Sequence, residues 1–225
     1  MSIKTLFLDL DDTVYPSSSG LWEAIGDRIN QFMIERVHLP TEGVIQLREQ
    51  LYHTYGTTMR GLAIEYQIDI HEYLAFVHDV PLKKYIKPDP TLRQVLRDLP
   101  YRLVVFTNAD SAHAHRVLKV VGIDDLVSGV IDILAVSPYC KPQKGAYEKA
   151  LALTGEADPS TVAMFDDNIA NLKIARQMGI FAVRVGKRQY QSEYHASINA
   201  LRDLDQVLNH SRREIITYQP ELFQE

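Results

Sequence analysis

A chain of 225 residues with 46% hydrophobic content is long enough for one sizeable domain, or one domain carrying an insertion, around a substantial core. Its net charge of −5, with lysines and arginines scattered rather than blocked, argues against nucleic acid or an anionic membrane as partner. The single cysteine, Cys140, excludes an internal disulfide and fits a cytoplasmic setting, and the opening MSIKTLFLDL has too short an apolar run for a signal peptide or membrane span.

Ile3 to Leu8 reads as a buried strand: short, nearly continuously apolar, then abruptly acidic, with Asp9, Asp11 and Asp12 in the stretch LFLDLDDTVYP. The next segment, residues 17–88, contains no convincing strand. Leu21, Ile25, Ile29 and Phe32 share one helical stripe; Val44, Leu47, Leu51 and Tyr55 share another, with Thr41 expected as its N-cap. Two prolines in YIKPDP punctuate the exit. RLVVFT (102–107) is a second strand, followed by a helix with Ala114, Val117, Leu118 and Val121 on one face and Gly122 as its stop. LVSGVID (126–132) is a weaker strand candidate. Tyr147, Ala150 and Leu151 mark a helix closed by Gly155. TVAMFD (161–166) is a strand, Ile169, Leu172, Ala175 and Met178 a helix closed by Gly179, and FAVRVG (181–186) another strand. SINALRDLDQVL predicts a short strand and a closing helix, and NHSRREIITYQPELFQE a mixed-charge tail that packs on the sheet or mediates association. Strands alternating with helices of this length predict an α/β fold, a parallel sheet covered on both faces. Residues 1–16 and 89–225 form that core, and 17–88 an inserted helical module.

On an extended chain, Asp9 and Asp11 leave the same side, roughly 6–7 Å apart. Ligands of open α/β sheets bind at the carboxyl ends of the strands. In a parallel sheet Asp9 and Asp11 would there meet Thr107 and Asn108 of FTNAD and Asp166 and Asp167 of FDDN. Several carboxylates at one edge call for a hard divalent cation, most simply Mg²⁺, which takes oxygen ligands. Taken singly, these residues have plainer readings. Asp12 and Thr13 serve as turn or cap chemistry, Asn168 caps a helix, Lys141 alone reads as a solvated lysine, and Cys140 is a small packing residue. The eight histidines show no metal-ligand spacing, and His113 and His115 cannot share a helix face.

The order DxDxT, then strand–Thr-Asn, then Lys-Pro, then strand–Asp-Asp resembles the haloacid dehalogenase (HAD) superfamily of phosphotransferases over most of the chain. DLDDTVYPSSSGL, YGTTMRGL, YIKPDP and VSPYCKP look more narrowly like its pyrimidine 5′-nucleotidase branch. The resemblance implies a Rossmann-like parallel sheet flanked by helices, with an inserted all-helical cap domain. It implies that Asp9 attacks phosphorus and forms an aspartyl-phosphate, while Asp11 protonates the leaving oxygen and then deprotonates water. Asp11 then needs a raised pKa, expected from crowding by other carboxylates and partial desolvation. Asp9 and Asp166 would ligate Mg²⁺ by side chain and Asp11 by its backbone carbonyl, with Asp167 in the outer shell. Thr107, Asn108 and Lys141 would hold phosphoryl oxygens. Arg60 and Tyr55 are the candidates for reading the leaving group. The implied substrate is a small phosphorylated metabolite, a pyrimidine nucleoside 5′-monophosphate first. Phosphoglycolate or another small-metabolite phosphate is the alternative, and a catalytically silent binding module of the same fold a further one. A dehalogenase needs neither the metal nor the second acid, so Asp11 and Asp166 argue against it.

Overall fold

The computed structural model describes residues 3–187 and 191–208. Its sheet has six parallel strands in the order β3-β2-β1-β4-β5-β6. They are β1 (Thr5–Leu8), β2 (Arg102–Phe106), β3 (Gly129–Ile131), β4 (Val162–Asp166), β5 (Phe181–Val185) and β6 (Ala196–Ile198). Alternation at period two sends Leu6, Leu8, Leu103, Val105 and Phe165 to one face. Phe7, Val104, Phe106, Val162 and Met164 go to the other, so β1 is buried on both sides.

Helices α5 (Pro90–Arg97) and α6 (Ser111–Val121) cover the first face with Leu92, Leu96, Ala114, Val117, Leu118 and Val121. The second face is covered by α7 (Lys144–Thr154) and α8 (Ile169–Gln177) through Tyr147, Ala150, Leu172 and Ala175. The stripes read from the sequence are thus the faces that pack. The weak candidate at 126–132 supplies only a three-residue strand, because Asp124–Leu126 is taken up in a 3₁₀ turn. The expected closing helix is one turn, α9 (Asp205–Leu208), behind another 3₁₀ turn at Leu201–Asp203. The tail 209–225 lies outside the described residues. Among those described, no helix is long and apolar enough to cross a membrane.

Between β1 and α5 stand four helices, α1 (Leu21–Glu35), α2 (Val44–Tyr55), α3 (Thr58–Tyr66) and α4 (Ile70–Val77). They share their own core of Phe32, Met33, Leu51, Met59, Leu62, Tyr73 and Leu74, joined from the α/β side by Ile133 and Cys140. This is a helical cap over the sheet edge. Thr41 does not cap α2: the N-cap is Gly43, at φ +83°, and the Thr41 carbonyl accepts a bond from Val44 N at 3.4 Å. The chain turns through a left-handed residue there, which glycine adopts without the steric penalty a Cβ would bring.

Gly61 serves a different end, close approach of α3 to α2. A Cβ at this position would lie 2.8 Å from Leu51 Cβ and 2.9 Å from Tyr55 Cδ2. Alanine normally favours a helix over glycine, but here the overlap wins. Gly61→Ala is expected to destabilise the protein by about 1–3 kcal/mol. Gly129→Ala, whose Cβ would meet nothing within 4 Å, should leave thermal unfolding nearly unchanged; equal Tm values for the two variants would remove the packing argument.

Candidate active site

The carboxyl ends of β1, β2 and β4 meet because their registers align Leu8 with both Val105 and Phe165. Asp9 N donates to Phe165 O at 2.9 Å, which sets the Asp9 side chain beside Asp166. Into that acidic corner the loop before α7 inserts Lys141, only 1% exposed. Its ammonium donates to Asp9 Oδ1 at 2.7 Å, Asp166 Oδ2 at 2.9 Å and Phe106 O at 2.7 Å, so all three of its protons are used. Burial alone would lower the Lys141 pKa, but Asp166 and Asp9 outweigh it and hold the group above its ordinary value, a cation. The lysine that alone read as solvated is among the most buried side chains of the molecule.

Asn108 fixes this loop from both directions. Its Nδ2 donates to Lys141 O at 2.9 Å, and Lys141 N donates to its Oδ1 at 2.9 Å. Thr107, 1% exposed, accepts a bond from Ala109 N at 3.0 Å and lies beside Asn108 on the cavity wall. Asp166 is held further by Asn168 N at 2.8 Å and by Asn171 Nδ2, 3.0 Å from both carboxylate oxygens. Asn168 also caps α8 through Ala170 N, as its sequence position predicts. Thr13 ties the first acidic segment to the last: its hydroxyl donates to Asp9 Oδ2 at 3.2 Å and accepts from Asp167 N at 3.1 Å.

Asp9, Asp166 and Asp167 each bring a carboxylate oxygen within 4.8 Å of the others. One ammonium cannot compensate three carboxylates, and the shortfall is visible at Asp167. Burial, then Asp166 and Asp12, push its pKa up to about 7. Oxygen-only donors with surplus negative charge fit a hard divalent cation such as Mg²⁺.

Asp11 departs from expectation. Its pKa is lowered, not raised: burial pushes it up, but hydrogen bonds and charge from His113 and the Tyr15 hydroxyl prevail. The carboxylate faces Tyr15 Oη at 2.6 Å and His113 Nε2 at 3.2 Å rather than the other carboxylates, so the crowding argument does not apply. Local spacing gave no sign of this partner, because His113 stands on α6, about 100 residues downstream. His115, two residues on, faces outward to Asp124 at 2.7 Å. Asn171 was also missed, although its place five residues after Asp166, on the first turn of α8, was available as a signal.

Above the carboxylates lies a cavity of about 670 Å³ between cap and core. Its lining includes Asp9, Asp11, Thr107, Asn108, Lys141 and Asp167 below and Trp22, Arg48, Tyr52 and Tyr73 above. Arg60 and Tyr55 are not among the lining residues. The Arg60 guanidinium bonds Gln143 Oε1 and lies 3.6 Å from Cys140 Sγ, while Tyr55 Oη donates to Glu65 at 2.9 Å. The structure therefore seats Arg60 on the joint between cap and core. Cys140 is fully buried, in keeping with a packing role.

The sequence pattern of the haloacid dehalogenase-like hydrolases matches residues 3–179, and the chain belongs to that family. In this member of the family, Asp9, Asp166 and Asp167 form a group that could hold a metal ion, with the buried Lys141 between Asp9 and Asp166. Phosphate metabolism protein 8 of Saccharomyces cerevisiae is 31% identical over 206 residues, 84% of this chain; the chain spans 64% of that relative's length. A HAD phosphatase of Thermococcus onnurineus superposes with a TM-score of 0.62 at 19% identity, covering 92% of this chain and 97% of its own. A HAD-hydrolase of Bacillus subtilis, solved bound to magnesium, gives 0.59 at 15% identity over 93% and 100%. These structures share the fold, cap included.

His78, at the end of α4, offers a pH test. Its pKa is lowered, by burial first and by nearby His113, against the hydrogen bond to Asp110 at 3.1 Å and the charges of Asp110 and Asp11. A histidine depressed on folding leaves the unfolded chain binding more protons, so its stabilisation is present above the unfolded value near 6.5 and lost as pH falls through the folded one. The Tm of the wild type minus that of His78→Gln should therefore shrink between about pH 7.5 and about pH 5.5; a pH-independent difference would contradict the assignment.

Proposed function

We propose that the protein hydrolyses phosphomonoesters through an aspartyl-phosphate on Asp9, acting on pyrimidine nucleoside 5′-monophosphates. The observation that carries the reading is the convergence of Asp9, Asp167 and Lys141 at the floor of one capped cavity, with the fully buried Asp166 bonded to Lys141 behind them. An Asp9 carboxylate oxygen bonds to phosphorus as the ester P–O bond breaks, and the leaving oxygen takes its proton from Asp11, which has to be loaded with that proton against the lowered pKa it has in the free protein. Water then attacks the phosphoryl group, gives its proton to Asp11 and releases Asp9 with inorganic phosphate. Asp9, Asp166 and Asp167 would hold Mg²⁺, with Asp11 adding its backbone carbonyl; the ion supplies charge neutralisation at the phosphoryl group. Thr107, the Asn108 N–H and Lys141 are assigned to phosphoryl oxygens. Since the Lys141 donors are all engaged, it must exchange one carboxylate bond for a phosphoryl one.

The nucleotide assignment rests on the resemblance in the cap segments and on cavity size, since about 670 Å³ falls in the range of small-ligand sites. The exposed rings of Trp22 and Tyr52 on the lining offer flat apolar surface to a base. Trp22 and Tyr52 are accordingly assigned to the leaving group, and Arg60 to seating the cap, with Tyr55 bonded within the cap to Glu65. Tyr52→Ala is expected to raise KM for UMP by about tenfold, the scale of one stacking contact, while Arg60→Ala alters it less. The reverse order would return Arg60 to the substrate.

Phosphate release with Mg²⁺ across UMP, CMP, dUMP, AMP, GMP, phosphoglycolate, sugar phosphates and p-nitrophenyl phosphate tests the whole reading. Pyrimidine monophosphates should lead, and Asp9→Asn should abolish release. Activity confined to phosphoglycolate or p-nitrophenyl phosphate would keep the phosphatase and discard the nucleotidase. No release from any substrate would discard both.

A further inference from the structure

Among the described residues, Asp11 is gripped on one oxygen only. Tyr15 Oη at 2.6 Å and His113 Nε2 at 3.2 Å both point at Oδ1. The carboxylate is an acceptor, so His113 carries its proton on Nε2. This agrees with its buried Nδ1, which has no hydrogen-bond partner among the described residues. His113 has a fully buried side chain and does not line the cavity, so it cannot touch a substrate there.

What holds His113 is the cap connection. Its ring stacks on His78 with centroids 4.1 Å apart and planes 18° apart. His78 Nδ1 is 3.1 Å from Asp110 Oδ2, and the other Asp110 oxygen accepts from His113 N at 2.6 Å. Three residues further along α6, Arg116 donates to His78 O at 2.9 Å and to Val80 O at 3.0 Å. Asp110, His113 and Arg116 thus form one edge of α6 that clasps the chain where it leaves the cap. Tyr15 stands where the chain enters it.

We infer that His113 is the positioning residue of the acid–base Asp11, held in place by His78 on the cap's return segment. With Oδ1 saturated by His113 and Tyr15, proton transfer is left to Asp11 Oδ2. The inference rests on the acid–base role proposed for Asp11. It goes beyond it in naming the oxygen, the residue that orients it and the cap segment behind that residue.

The test compares His113→Gln with His113→Met, side chains of similar length of which only glutamine keeps an N–H donor. Each is assayed with UMP, whose alkoxide leaving group needs a proton, and with p-nitrophenyl phosphate, whose phenolate leaves more readily without one. Phosphoglycolate replaces UMP should UMP not be turned over. Asp11→Asn is the benchmark. His113→Met should lower kcat for UMP by about 100-fold, the low end of general acid catalysis, with KM little changed and a far smaller loss on p-nitrophenyl phosphate. His113→Gln should recover most of the loss. Tyr15→Phe, a smaller change at the same oxygen, should show the same selectivity and serves if both His113 variants misfold. If Asp11→Asn is leaving-group selective but His113→Met and Tyr15→Phe lower both substrates equally, or neither, the positioning role is wrong while the acid role stands. If Asp11→Asn itself shows no selectivity, the acid role falls and the inference with it.

Discussion

The site depends on a single buried cation. A parallel sheet carries aligned strand ends, and here two of them terminate in carboxylates, Asp9 and Asp166, that water barely reaches. Buried like charges at that spacing cannot stand alone, because removing one partner from a buried ion set costs about 3–5 kcal/mol. Lys141 resolves the conflict by entering between them. Everything that fixes Lys141 — the two-way clamp from Asn108, the Phe106 carbonyl and the packed Cys140 beside it — therefore also fixes the floor of the cavity. Charge compensation is deliberately incomplete in its geometry: one ammonium faces three carboxylates, leaving the surplus that a divalent cation would answer.

Around this floor the remaining side chains divide the work by hydrogen bonding. Asn171 and Asn168 hold Asp166, and Thr13 bridges Asp9 to the Asp167 backbone. Asp11, though only two residues from Asp9, belongs to a separate network with Tyr15 and His113. Two neighbouring aspartates are thus placed in different surroundings, one against a buried ammonium and one against a histidine ring and a tyrosine hydroxyl.

Strands and the acidic residues were legible because their signals are local: apolar runs that end abruptly in Asp or Thr-Asn, and helical stripes closed by glycine. The edge strand β3 and the short α9 were harder, since few residues carry their pattern and 3₁₀ turns take up the rest. Thr41 failed as a cap because a left-handed Gly43 intervenes, a backbone choice that composition does not announce. Asp11 was misjudged for a deeper reason. Sequence spacing places its Cα, not its carboxylate, and the carboxylate turned toward a histidine on α6 instead of its acidic neighbours. The His78–His113 stack joins residues 35 apart in the chain, and no short-range pattern could have paired them.

The central position of β1 has a consequence for how the molecule is made. Its two neighbours, β2 and β4, lie about a hundred and about a hundred and fifty residues downstream. Synthesis therefore delivers this central, fully buried strand before either neighbour and its second partner late, after the cap helices have emerged and can fold locally. Until β4 arrives, one edge of β1 stays unpaired and Asp9 lacks Asp166 beside it. Assembly order thus makes the acidic corner one of the last features to close, and a nascent chain that ends before β4 lacks both Asp166 and Asp167.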